Sequence, residues 1–147
     1  INFKFIFTEI HHQHYTSAYR IFKDHPIIGI GPKMFRKYCS KDEYRISNHS
    51  CTTHPHNFSI QLLSETGIFG FLAFISFYFI FVKDFIKLLF RKEFNEYYFP
   101  LITSIILNLV NFMPLFPSGN FFNNWLGVIY SIPIGFYLYF KSKVEKN

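Results

Sequence analysis

Apolar residues along the chain gather in three long runs, and polar residues crowd the stretch before them. From Asn57 the spacing turns helical: Phe58, Ile60, Leu62, Leu63 and Ile68 lead into an almost wholly apolar stretch at 67–82. That stretch falls slightly short of the ~20 residues that cross a bilayer core, and extension upstream to about Ile60 closes the gap. Glu65 then lies near the rim. The second run covers 97–116 and contains Asn108 and Asn111; the third covers about 121–140, with a kink expected at Pro133. A short link, 114–120, joins them. Tyr97, Tyr98, Trp125, Tyr137 and Tyr139 stand near the run ends, as interfacial aromatics do.

Residues 1–57 have no such run. A short helix is expected from about Thr16 to Lys23, ended by His25-Pro26, with a turn at Gly29, Gly31 and Pro32. The chain opens on Ile1 with Phe3, Phe5, Ile6 and Phe7 already in an apolar pattern, and it reads as a piece of a longer protein with earlier membrane crossings. The fold class that follows is all-α and polytopic. A large outer loop at 1–57 precedes 58–147, which holds three transmembrane helices at about 60–82, 97–116 and 121–140.

Charge sets the orientation. Lys83, Lys87, Arg91 and Lys92 follow the first run, and Lys141, Lys143 and Lys146 follow the third. Two crossings separate these clusters, so they share a side, and the positive-inside rule makes the link 83–96 and the tail 141–147 cytoplasmic. The loop 1–57 and the link 114–120 then face outward. The net charge of +6 comes with no basic stripe and no nucleic-acid motif, and the basic clusters beside the runs serve orientation, so a nucleic-acid partner is not expected. Phe occupies 22 positions, more than a soluble domain of this size ordinarily carries, which argues against buried helices in a large soluble α protein.

All 7 histidines, both cysteines and three arginines (Arg20, Arg36, Arg45) lie in the outer loop. His54-Pro55-His56-Asn57 is followed by nine residues and then Gly67-Ile-Phe-Gly70. Upstream stands His25-Pro26-Ile-Ile-Gly29-Ile-Gly31-Pro-Lys-Met-Phe35-Arg36. Two motifs in this order, before the last membrane helices, resemble the O-antigen polymerase and ligase family. Ser118-Gly-Asn-Phe-Phe-Asn-Asn-Trp125 is similar to that family as well. The motif pair covers Phe22 to Gly70.

The resemblance implies glycosyl transfer on the periplasmic face of the bacterial inner membrane. The donor is a glycan on undecaprenyl pyrophosphate; the acceptor is another carrier-linked glycan or a lipid A core sugar. It implies no cofactor and no metal. The partners expected besides the bilayer are a chain-length regulator or other polysaccharide-assembly proteins. The residues suit that chemistry. A sugar hydroxyl needs a base poised near neutral pH, and His56 is the candidate. A pyrophosphate leaving group gains charge, and Arg36 offers a planar fork for its oxygens. Arg20, His54 and Asn57 are the candidate substrate contacts.

Blander roles stand beside these. His54 and His56 also suit the head of a helix, His-Pro a turn, and Asn57 an N-cap. Arg36, Arg20 and Arg45 equally suit solvated loop charges. Gly67 and Gly70 suit close helix packing. The family carries an arginine where this chain has His11-His12-Gln13-His14, so a second cationic contact lacks its usual residue, and His14 substitutes only weakly. Cys39 and Cys51 are expected to pair on the oxidising side of the membrane, adding roughly 3 kcal/mol by loop closure. A zinc-type set of Cys39, His49, Cys51, His54 and His56 has a spacing unlike structural zinc motifs. The alternative function is a non-enzymatic transporter or assembly subunit that binds a lipid-linked glycan. It expects ionisable residues inside the membrane runs, which carry none beyond Glu65.

Overall fold

A computed structural model describes residues 7–146. Phe3, Phe5 and Ile6, from which an earlier apolar pattern was inferred, lie outside the described residues. Helices and loops make up the described residues, with no strand. One compact unit runs up to Phe74 and takes in Pro114–Asn123; a second comprises Ile75–Met113 and the chain from Asn124 onward.

The first unit begins with α1 (Glu9–Asp24), which starts well before Thr16. Thr8 sets the start: its hydroxyl accepts the His11 N–H, and Glu9 suits the positive end of the helix dipole. His25 caps the other end through the Ile21 and Phe22 carbonyls, ahead of Pro26. His14, Ser17, Ala18 and Ile21 recur at helical spacing and face inward. Ala18 and Ile21 pack with Phe35 of the one-turn α2 (Phe35–Tyr38), with Cys39 and with Tyr44 in a small core.

The third helix, α3 (Phe58–Leu89), is broken at Gly67, whose φ of 67° is open to glycine at little cost. The break frees backbone groups that the His25–Gly31 loop satisfies. Ile30 N–H donates to the Ser64 carbonyl (3.1 Å), Gly31 N–H to the Glu65 carbonyl (2.8 Å), and Ile68 N–H to the Pro26 carbonyl (2.8 Å). Two backbones approach too closely for side chains. A Cβ on Gly67 would stand 2.7 Å from Ile28 N, and one on Gly29 would stand 2.5 Å from Thr66 N. Gly29, also at positive φ (66°), and Gly67 are thus two halves of one crossing. Gly70 has another reason: a Cβ there would strike the Thr66 side chain.

In the second unit, α3 continues to Leu89, beyond the expected end at 82. Leu88 is buried there, so the apolar face persists past the first charges. The helix α4 (Tyr98–Asn111) is shorter than the run 97–116, because Phe112 caps it just before Pro114. The last helix, α5 (Asn124–Val144), runs as one element through Pro133. Asp84 accepts bonds from the Tyr137 hydroxyl and Lys141 Nζ, each at 2.6 Å. Phe77 packs edge to face on Phe81 and Phe112, and Phe81 on Tyr137. Asn108 is buried and donates to the Ser104 carbonyl of its own helix (2.8 Å).

Among the described residues α3 is the helix long and apolar enough to cross a membrane. The candidate span is the whole helix Phe58–Leu89; the part between the Gly67 break and Lys83, 68–82, rises about 22 Å, short of a hydrocarbon core of about 30 Å. The 14 residues of α4 rise only about 21 Å.

Gly67→Ala and Gly29→Ala should each lower stability by roughly 2 kcal/mol or more, through left-handed strain and overpacking. Gly127→Ala and Gly135→Ala, which meet open space within α5, should be neutral or stabilising by about 0.5–1 kcal/mol. Thermal unfolding in detergent separates the two classes, and equal behaviour would remove the crossing as a constraint.

Candidate functional site

The segment before α3 and the start of α1 bring four imidazoles together. His11 and His14 come from the first turns of α1; His54 and His56 come from the segment just before α3. Ring centroids lie 4.1 Å apart for His54 and His56, 5.4 Å for His14 and His56, 5.9 Å for His11 and His56, and 6.5 Å for His11 and His14. Tyr15 stacks on His11 at 5.9 Å.

His56 owes its place to an unusual backbone. Its φ is 59°, the left-handed region that non-glycine residues seldom occupy, though His does so more than most. The 114–120 link holds it there. Ser118 N–H donates to the His56 carbonyl (2.9 Å), and the Ser118 hydroxyl accepts the Phe58 N–H (2.8 Å). Asn57 Oδ1 accepts the Ile60 N–H (3.1 Å), as an N-cap does. Its Nδ2 donates to the Pro114 and Phe116 carbonyls at 2.9 and 3.0 Å. The Asn57 amide is therefore occupied by its own fold.

Below this lies a buried polar hub. Gln61 Nε2 donates to Glu65 Oε2 (2.9 Å) and Asn120 Oδ1 (2.8 Å), while Gln61 Oε1 accepts the Phe121 N–H (3.0 Å). Glu65 Oε1 accepts the Phe35 N–H at 2.8 Å. Gln61 and Glu65 have no exposed surface, so burial of their polar atoms is compensated by these bonds. Glu65, expected at the rim, thus ties α3 to the start of α2.

The second ring, His14, is fixed by the His49 carbonyl, 3.0 Å from Nε2. A carbonyl only accepts, so in the neutral ring Nε2 carries the proton and Nδ1 is bare. Burial, first of all, pushes the His14 pKa below 6.5, with the neighbouring His56 and His11 adding to it against the pull of the His49 carbonyl. His56 is lowered by burial and then by His11. Burial, followed by His56, pushes His54 down to about 4, against a smaller upward pull from the Ser118 backbone. Burial thus disfavours the protonated form of all three rings.

The arginines stand elsewhere. Arg36 is exposed on α2, and its carbonyl lies 3.8 Å from the Cys51 sulfur. Cys39 and Cys51 are joined in a disulfide, Cα atoms 5.1 Å apart, which ties the end of α2 to the strand of chain leading to His54. Arg20 is exposed on α1. Nine residues separate it from His11, about 13 Å along the axis and half a turn round, so α1 carries it away from the cluster. No group of three or more metal-ligating side chains is arranged to hold an ion among the described residues. An apolar cavity of about 190 Å³, lined by Tyr15, Ile60, Leu63, Phe71 and Leu115 among others, adjoins Asn57.

His11 was not among the candidates, and His14 only as a weak stand-in for an arginine. Their spacing of three places both on one face of a helix that includes them, but a helix beginning at Thr16 leaves both outside.

Among the described residues the chain is all-helical and sets a cluster of histidines just before its one helix of membrane-crossing length and apolarity. Residues 10–75 match the family model for O-antigen ligase, a segment that takes in nearly all of α1, the disulfide, all four clustered histidines and the Gly67 break. The match spans less than half of the chain and is a resemblance over that segment. No curated protein and no solved structure matches the chain.

The lowered histidine values carry a stability consequence. Where the folded pKa lies below the unfolded 6.5, the unfolded chain binds more protons, so stability falls as pH falls. Denaturant midpoints should be level above pH 6.5 and decline from there towards pH 4, the value for His54. His54→Gln should flatten that decline; an unchanged slope would show that the rings are not held neutral.

Proposed function

We propose that the chain carries the outer-face site of a membrane glycosyltransferase of the O-antigen polymerase and ligase kind. A glycan on undecaprenyl pyrophosphate is the donor, and a sugar hydroxyl of a second carrier-linked glycan or of lipid A core is the acceptor. The observation that carries this reading is the close cluster of His11, His14, His54 and His56 at the head of the long apolar helix, within the segment that matches the family.

His56 is the base. Burial disfavours protonation of its ring, and its backbone is held in a strained conformation of the kind found at functional sites. The acceptor hydroxyl loses its proton to His56 as its oxygen attacks the anomeric carbon. The bond to the pyrophosphate breaks on the opposite face, and the sugar is inverted. Arg36, exposed on α2 and tethered near the His54 segment by the disulfide, receives the developing pyrophosphate charge. His54 is a neighbour that the acceptor meets beside the base. Asn57 acts through the helix cap, and Arg20 lies too far round α1 to join His56. The apolar cavity next to Asn57 suits a donor that is half lipid. Two further crossings at α4 and α5, with a cytoplasmic link and tail, complete the topology. A non-enzymatic role in binding a lipid-linked glycan uses the same cavity but leaves a strained histidine without a task.

In the full-length protein, His56→Ala should reduce transfer by about 10²–10⁴-fold at unchanged protein level. Arg36→Lys should also be severely impaired, because a point charge does not replace a two-pronged contact. Lys41→Ala, an exposed pair with Glu43 at 3.8 Å, should be near neutral. Full activity in His56→Ala would sink the base assignment, and loss of activity to a chelator with recovery on added zinc would replace it with metal chemistry.

The pH dependence follows from the same base. Since the pKa of His56 lies below 6.5, kcat/KM should stay level from about pH 8 down to 6.5 and fall only at lower pH. A fall that begins above pH 7 would place the proton acceptor elsewhere.

A further inference from the structure

The His25–Gly31 loop is stitched to α3 by its backbone, and that leaves the two isoleucines at its tip facing out. Ile27 is 60% exposed and Ile28 77%. Two adjacent aliphatic side chains at a loop tip are costly to hydrate, so what surrounds them matters.

Their height on the molecule identifies the surroundings. Ile68 N–H donates to the Pro26 carbonyl at 2.8 Å, and Gly67 lies against the Ile27–Ile28 peptide. The tip is therefore level with the first turn of α3 beyond its break, where the apolar stretch begins. That turn and the next expose Phe69 and Leu72, at 66% and 50%. The isoleucines extend one apolar surface sideways from the crossing helix. The base of the loop is fixed: the Pro26 carbonyl is bonded to Ile68, and Gly29 N–H closes on the His25 carbonyl at 3.2 Å, so the tip is held at this height by its flanks.

We propose that the Ile27-Ile28 tip is seated in the bilayer, among lipid acyl chains just beneath the headgroups of the outer leaflet. It acts as a depth gauge. The same loop leads through Gly31 to Phe35 and Arg36, so anchoring the tip fixes the height of Arg36 above the lipid. A pyrophosphate attached to a membrane-buried chain sits at the same boundary. This role rests on the membrane-bound donor proposed above, but the seating itself does not depend on activity.

Photocrosslinking tests it in the full-length protein in native membranes. Benzoylphenylalanine is introduced at Ile28, at Phe79 of α3 as the lipid-facing reference, and at Lys41 as the exposed polar reference. Mass spectrometry should find phospholipid adducts at position 28 as at 79, and none at 41. Crosslinks from position 28 to a protein segment, or lipid adducts at 79 without any at 28, would overturn the seating. Ile28→Leu and Ile28→Lys, compared at equal protein level, then read the depth role. Leucine should retain transfer from the lipid-linked donor, while lysine should lower kcat and leave the acid limb of the pH profile in place. Equal kcat in both would reject the gauge even if the tip is lipid-seated. A dead His56→Ala with intact crosslinks, or the reverse, separates this proposal from the catalytic one.

Discussion

The break in α3 at Gly67 is the constraint on which the outer site depends. A helix that stops and restarts strands carbonyls and amides, and in an apolar setting each one must find a partner. Here the partners come from a loop thirty-odd residues earlier, whose Ile30 and Gly31 amides and Pro26 carbonyl complete the set. Because the exchange is between backbones, its geometry is indifferent to most side chains and intolerant of a Cβ at two positions. The Glu65 carboxyl, two residues before the break, then reaches the Phe35 amide and fixes where α2 begins. Arg36 is placed by that chain of contacts and not by any bond of its own.

Much of this was legible in the order of residues. Gly29, Gly31, Gly67 and Gly70 marked two motifs, and the family match over 10–75 agrees with them. The reason offered for Gly67 was helix packing, whereas the structure uses it to turn the backbone against a loop, a distinction that spacing alone does not draw. Asn57 was weighed as a cap, and it caps. Glu65 was taken for a rim charge because a single run has no information on what folds over it; the Phe35 amide that buries it lies far off in sequence. The helix start at Thr16 was the costliest misreading. Thr8-Glu9 is a serviceable cap signal, but three histidines in a row of four are poor helix formers and hid it. With α1 shortened, His11 and His14 had no common face, and the histidine cluster could not be assembled on paper.

The cluster also shows how a scaffold can hold imidazoles against protonation. Burial disfavours the charged rings, and the His49 carbonyl chooses the tautomer of His14. Repulsion from neighbouring rings adds to burial at His14, His54 and His56, so the three values move in one direction.

The link between His56 and Ser118 has a bearing on how the protein is made. The outer unit is discontinuous: it comprises the chain up to Phe74 and Pro114–Asn123, and everything between belongs to the other unit. The left-handed turn at His56 is locked only when Ser118 arrives, so synthesis of the histidine segment does not by itself produce a histidine site. The intervening chain must first be made and its end brought back. Closing a contact over that separation is entropically slow compared with forming α1 or the disulfide loop. Until then the segment before α3 keeps its local Asn57 cap but lacks the Ser118 contacts at His56 and Phe58. Maturation of the site is therefore tied to completion of the chain as far as Ser118, which keeps a shorter chain from presenting a formed site.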